Sequence, residues 1–209
     1  MNKHKISLLR CRFVVMVSLL TASFLIAAQS SPVPMLQATS DQILATLKQH
    51  KAKLHQDRSI VFQAVQQYMV PCVDVDGMSR SVLGRGAWTK ATARERAEFK
   101  QVFTQLVIRT YASPLTEYTD ETVRFFPVRG SLDGQFVRVN SLIVRSNGRN
   151  IPLSYSLVSH GGQWKIYDLT VEGVSLLQSF RSQFSEVLRN STMQALIQDM
   201  RQRAKAAVS

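Results

Sequence analysis

The stretch GGQWKIYDLTVEGVSLLQSFRSQF, Gly161 to Phe184, changes its hydrophobic period once. Gly161-Gly162 is a polar turn leading into a strand, Trp164 to Val171. That strand passes almost directly into an amphipathic helix beginning near Val174, with apolar residues recurring at helical spacing. The spacing predicts a sheet with a helix folded onto it. Nothing in the stretch supplies catalytic chemistry.

Upstream of Gly161 the period is two from Glu121 onward. Strands are predicted at about 122–128, 135–146, 150–159 and 163–171, separated by turn residues at Gly130, Asp133-Gly134, Asn147-Gly148 and Gly161-Gly162. Asn147-Gly148 is the strongest hairpin signal among them. Ile151, Leu153, Tyr155 and Leu157 alternate with Pro152, Ser154 and Ser156, so one face of that strand is buried. Two helices close the chain, Val174–Arg189 and Thr192–Ala204, the second capped by Ser191 with Gln194.

Before the strands the period is helical. A short leader, residues 31–38, carries two prolines. Thr39 and Gln42 have capping-box spacing for a helix at 40–55, and a second apolar helix runs from Ile60 to Met69, ahead of Pro71. Residues 72–91 read as irregular, with a short helix around Met78, Val82 and Leu83 broken at Gly84 and Gly86. Thr92-Ala93-Arg94-Glu95 is the best capping box in the chain. It opens a helix to about Ala112 with Phe99, Val102, Phe103, Leu106 and Val107 on one face. Helices, a four-strand meander and helices again make an α+β fold with a four-stranded antiparallel sheet packed against N-terminal and C-terminal helices.

Residues 1–30 are expected to be a cleaved secretory signal. Lys3, Lys5, Arg10 and Arg12 form a positive start, Phe13 to Ala28 is apolar, and Ala28-Gln29-Ser30 is a small-x-small cleavage site. The apolar run is short for a spanning helix, which needs about 20 residues, though an uncleaved anchor is the alternative. Residues 31–209 then form a single domain. The net charge of +12 falls to +8 with those four basic residues gone. Anionic lipid surfaces and acidic protein patches suit such a charge better than nucleic acid, which an exported protein seldom meets. Cys11 lies in the signal, so Cys72 is left single among apolar neighbours, an inert buried thiol in this reading.

Candidate chemistry is sparse. Asp74-Val75-Asp76-Gly77 has the form of a phosphatase nucleophile motif. It follows a helix and Pro71, however, and no β-α-β alternation comes after it, so a helix cap is the plainer reading. His50 and His55 are too far around a helix to share a ligand, and no metal site is expected. Ser79, Ser81 and Ser175 lack a nucleophile-elbow context. No catalytic residue and no cofactor are expected. Large apolar residues on the long helix, the sheet and the following helix can form either a filled core or a cleft for an apolar ligand; periodicity leaves both open.

Val82–Trp88 (VLGRGAW), Thr89–Phe103 (TKATARERAEFKQVF), Arg109–Ala112 (RTYA) and the pattern W-K-x-Y-D-x-x-x-E-G-V-S from Trp164 to Ser175 resemble the MlaC family. Its members are periplasmic phospholipid-binding proteins of the system that maintains outer-membrane lipid asymmetry, also called the toluene-tolerance auxiliary family. The likeness is collinear from about Tyr68 to Met200. It implies a periplasmic carrier with an apolar cavity between a curved sheet and helices, holding phospholipid acyl chains. Its implied partners are an outer-membrane lipoprotein complex and an inner-membrane ABC transporter complex with a lipid-binding ring. The expected lining is Phe99, Val102, Phe103, Leu106, Tyr111, Leu153, Tyr155, Leu157, Val174, Leu177, Phe180 and Phe184. Arg109 or Arg85 is placed near the phosphate, and Asp168 and Glu172 are expected to tie the strand-to-helix turn. The alternative is an interaction module with a filled core and protein partners only.

Overall fold

The computed structural model describes residues 30–118, 120–145 and 148–206. The expected signal at 1–30 lies outside them except for Ser30, as does Asn147 of the expected hairpin turn. Among the described residues no helix is long and apolar enough to cross a membrane.

The first helix, α1 (Val33–Gln49), begins seven residues before the expected start. Pro34 stands in its first turn, where a missing N–H costs no helical hydrogen bond, so the two prolines open the helix and do not mark a leader. Thr39 is therefore inside the helix and buried, with its hydroxyl 3.4 Å from the Cys72 sulfur. Helix α2 (Ser59–Ala64) continues into a π-helical turn at Val65–Met69 and a tight turn at Val70–Cys72.

Helix α3 (Val75–Lys90) spans the segment expected to be irregular. Of the breaks expected at Gly84 and Gly86, only the one at Gly84 is found, with φ 71 and ψ 161, a region that essentially only glycine occupies, and helical backbone resumes after it. Helix α4 (Ala93–Ala112) starts on the predicted capping box, with Glu95 N–H donating to Thr92 Oγ1 (3.2 Å) and Thr92 N–H donating to Glu95 Oε2 (2.8 Å).

The sheet is antiparallel and has five strands in sequential order: β1 (Thr122–Phe125), β2 (Phe136–Val144), β3 (Ile151–His160), β4 (Gln163–Val171) and β5 (Val174–Ser175). The fifth strand corrects the expected four. Glu172 (φ 49) and Gly173 (φ 86) make a two-residue hairpin turn with both φ positive, so Val174 folds back to pair with Val171 before any helix can begin. Helix α5 consequently runs Leu176–Arg189, capped by Ser175, whose Oγ accepts from Gln178 N–H (3.1 Å). Helix α6 (Met193–Ala206) is capped by Thr192, not Ser191.

Two layers follow from these elements. Helices α3 to α6 pack together around Phe99, Phe103, Phe184, Leu196, Ile197 and Met200. The sheet turns one face away from that bundle, toward α1 and the segment after α2. A third apolar cluster joins α1, α2 and the C-terminal end of α4 through Leu47, Leu54, Val61 and Ile108.

Candidate functional site: the apolar face of the sheet

Pairing register defines the face residue by residue. Val137 lies opposite Leu157, Val139 opposite Tyr155, Ser141 opposite Leu153 and Ile143 opposite Ile151. Side chains two apart on a strand share a face, so these eight point the same way. On the far side of β3, Ile166 pairs with Leu157, Leu169 with Tyr155 and Val171 with Leu153. A bulge at Ser156/Leu157 inserts Tyr167 into β4, which keeps Ile166 and Leu169 on one face despite their odd spacing. On the other side, Phe125 of β1 pairs with Ser141, and its ring lies 5.7 Å from that of Tyr155.

Burial grades along this face. Val137, Val139, Leu157, Trp164 and Ile166 are buried at one end, with Leu36 of α1 packed in the same cluster. Ile143, Ile151, Leu169 and Val171, toward the other end, are only partly buried. Val128 and Leu132 from the β1–β2 connection also pack against the cluster. Trp164 fixes the closed end: its indole N–H donates to the Ser30 carbonyl at 2.6 Å. Burial pushes the Tyr155 phenol up to about 12, with the Ser141 hydroxyl pulling slightly the other way.

Ten of the twelve residues expected to line a cavity divide between two places. Leu153, Tyr155 and Leu157 lie on the sheet face. Phe99, Val102, Phe103, Leu106, Phe180 and Phe184 are buried in the helical bundle, with Leu177 packed against them. Their rings interlock: Phe99 stacks on Phe103 at 5.5 Å, and Phe103 meets Phe180 and Phe184 edge-on at 5.2 and 5.8 Å. Tyr111 is 37 % exposed beside Phe180, and Val174 is 58 % exposed on the turn before α5. Val137, Val139, Ser141 and Ile166 on the sheet face were not anticipated. For Val137 and Val139 the alternation in FVRVNSLIV of β2 carried the signal, with both inward and Phe136, Arg138 and Asn140 outward.

The polar candidates have structural partners. Asp74 Oδ1 accepts from Gly77 N–H at 2.9 Å and so caps α3. A Cβ at Gly77 would overlap the Asp74 carboxylate, which explains the glycine at that position. Asp74 also meets His160 Nε2 at 3.1 Å, and Asp76 pairs with Lys100 at 2.7 Å. The D-x-D-G motif is therefore a cap and an ion pair beside an antiparallel sheet. Asp168 ties the strand-to-helix turn as expected, while Glu172 reaches outward to Arg149 at 3.5 Å. Arg109 donates to the Ala204 carbonyl of α6 at 3.2 Å and borders a polar cleft of about 480 Å³ with His55 and Arg58. Arg85 is exposed on α3. Neither arginine adjoins the apolar face.

The sequence model of the family described as MlaC protein matches residues 37–202. A toluene tolerance protein of Pseudomonas putida is 27 % identical over 186 residues, 89 % of this chain and 85 % of that protein. The intermembrane phospholipid transport system binding protein MlaC of Haemophilus influenzae is 26 % identical over 203 residues, 94 % of each chain. Among solved structures, a phospholipid-binding protein from Ralstonia solanacearum, determined in complex with a phospholipid, superposes with a TM-score of 0.78 at 27 % identity. The match covers 86 % of this chain and all of that one.

Proposed function

The chain belongs to the MlaC family, and from that membership we propose that it is a phospholipid carrier whose acyl chains lie along the apolar face of the sheet. The observation that carries this reading is the continuity of that face. From Phe125 through Val139, Tyr155 and Leu157 to Ile166, four adjacent strands present apolar side chains without a charged residue. A binding surface for alkyl chains needs this kind of extended apolar area, and a sheet supplies it with little side-chain entropy to lose.

The physical need for a carrier is large. Each CH₂ removed from water is worth about 0.8 kcal/mol, so two sixteen-carbon chains represent about 25 kcal/mol. A phospholipid leaving a bilayer unaided meets nearly all of that cost. A protein surface of Leu, Val, Ile and Phe exchanges one apolar environment for another, so transfer becomes nearly balanced in free energy. Direction then comes from the partners.

In this reading residues 1–30 are a cleaved signal, residues 31–209 are the lipid-binding domain, and the mature chain works in the periplasm. It exchanges lipid with an outer-membrane lipoprotein complex and with an inner-membrane ABC transporter complex carrying a lipid-binding ring. The chain performs no covalent chemistry on the lipid. The engaged carboxylates of Asp74, Asp76 and Asp168 support that view. Native mass spectrometry of the mature protein, exported through its own signal and purified without detergent, tests the proposal. Adducts that extraction identifies as phospholipid are expected. A bare mass that persists after incubation with phospholipid vesicles would refute it in favour of a filled-core interaction module.

A further inference from the structure

Ser141 interrupts the apolar face. It pairs with Phe125 on β1 and with Leu153 on β3 and is 3 % exposed; its Oγ lies close enough to the Tyr155 hydroxyl to act on it, but makes no well-formed hydrogen bond among the described residues. A buried hydroxyl left unpaired is a standing penalty, and such groups are rare in folded proteins. The phenol of Tyr155 stands in the next row, opposite Val139, and is buried as well. Two hydroxyls thus lie side by side in a face whose other buried positions are aliphatic or aromatic.

Their depth is informative. The rows of Val137 with Leu157 and of Val139 with Tyr155 are buried, whereas the row of Ile143 with Ile151 is partly open. Ser141 occupies the row between. Successive rows are about 7 Å apart, so alkyl chains admitted between the buried rows and the side chains of α1 and residues 69–73 that cover them bring the linkages that join them to glycerol to the level of Ser141. The polar atoms at that level in a diacyl lipid are ester carbonyl oxygens, which accept hydrogen bonds and donate none. Serine and tyrosine hydroxyls are the complementary donors.

We propose that Ser141 Oγ donates a hydrogen bond to an acyl ester carbonyl of the bound lipid, with the Tyr155 hydroxyl as a second donor, so that the site favours diacyl ester lipids over dialkyl ethers. This rests on the carrier reading above and adds a linkage selectivity to it. An ether-linked lipid offers only a weakly accepting ether oxygen there and leaves the Ser141 hydroxyl unpaired.

The mature protein is incubated with vesicles holding equal amounts of dioleoyl phosphatidylethanolamine and its di-O-oleyl ether counterpart. The ratio of the two bound masses is then read by native mass spectrometry. The wild type is expected to load the ester over the ether by about three- to ten-fold, the worth of one net hydrogen bond. In Ser141→Ala the ratio falls toward one, while the melting temperature is unchanged or slightly raised. Tyr155→Phe keeps the ring and lowers the ratio in the same direction, which provides a second reading independent of how Ser141→Ala folds. Equal loading of both lipids by the wild type, or an undiminished ratio in the variants, overturns the linkage selectivity and leaves the carrier reading standing. Loading of neither lipid overturns both.

Discussion

Asp168 and Ser175 meet across the Glu172-Gly173 turn, with Ser175 Oγ donating to Asp168 Oδ2 at 2.6 Å. The other Asp168 oxygen accepts from Leu177 N–H at 3.0 Å, while Ser175 Oγ accepts from Gln178 N–H. One carboxylate and one hydroxyl therefore satisfy two of the free N–H groups at the start of α5 and lock that helix to the end of β4. The D-x-x-x-E-G-V-S pattern is thus a mechanical joint: Asp168 and Ser175 make the bonds, and Glu172-Gly173 makes the reversal between them.

Replacing Asp168 by Ala leaves the Leu177 N–H and the Ser175 hydroxyl without this acceptor and is expected to cost about 1–3 kcal/mol. Asp168→Asn keeps one carbonyl oxygen and is expected to cost less. Urea unfolding checks this through a lower midpoint at unchanged slope. Equal midpoints for the wild type and Asp168→Ala would show that the joint contributes nothing.

Phe103 and Leu153 are both buried, but in different clusters. Phe103→Ala opens a hole among interlocked rings and is expected to cost about 3–5 kcal/mol. Leu153→Ala, at the partly open side of the sheet face, is expected to cost about 2 kcal/mol, the low end for such a truncation. Bound phospholipid per folded molecule should fall in Leu153→Ala and hold in Phe103→Ala. Calorimetry with lipid extraction on the same samples separates the two effects, and the opposite pattern would move the site into the helical bundle.

Gly77→Ala drives the Asp74 carboxylate from its capping position. A loss of about 1–2 kcal/mol is expected, the worth of an N-cap. Adding Asp74→Ala to Gly77→Ala should then cost little beyond the exposed contact with His160, because both remove the same capping bond. A double-mutant cycle measures that coupling, and strictly additive losses would mean that the two residues act separately.

Burial raises the Tyr155 phenol from 10.0 to about 12, and Tyr111 and Tyr118 are also raised, chiefly by burial. The unfolded chain releases the Tyr155 proton near pH 10, whereas the folded chain holds it until about pH 12. The folded state therefore binds more protons across that interval, and stability is full below pH 10 and falls as pH rises toward 12. Tyr155→Phe should flatten part of that decline. Unfolding midpoints measured from pH 8 to 11.5 check it, and parallel curves for the two proteins would contradict it.

Much of the architecture was legible because it rests on short-range rules. The Thr92–Glu95 capping box, the period-two strands and the bend at Gly84 each follow from local sterics or hydrogen bonding, and each stands where the sequence placed it. The errors have local causes too. Two prolines within residues 31–38 suggest a leader, although a first-turn proline favours a helix. Strand β5 has two residues, too few to show any period. The placement of candidate lining residues was less legible. Helical spacing tells that Phe99, Phe103 and Phe184 face inward, but not whether they meet one another or a ligand. The structure has them meeting one another. Ser141 carried no signal, because a lone serine in a strand becomes informative only when its burial and missing partner are seen.

Acyl chains lying on the sheet face should be open to covalent capture there. The direct measurement loads the mature protein with a phosphatidylethanolamine carrying a diazirine near the end of one acyl chain, irradiates it, and maps the modified residues by peptide mass spectrometry. Modification is expected on β2 to β4, at Val137, Val139, Leu157 or Ile166. Modification confined to Phe99, Phe103, Phe180 and Phe184 between α4 and α5 would contradict that placement.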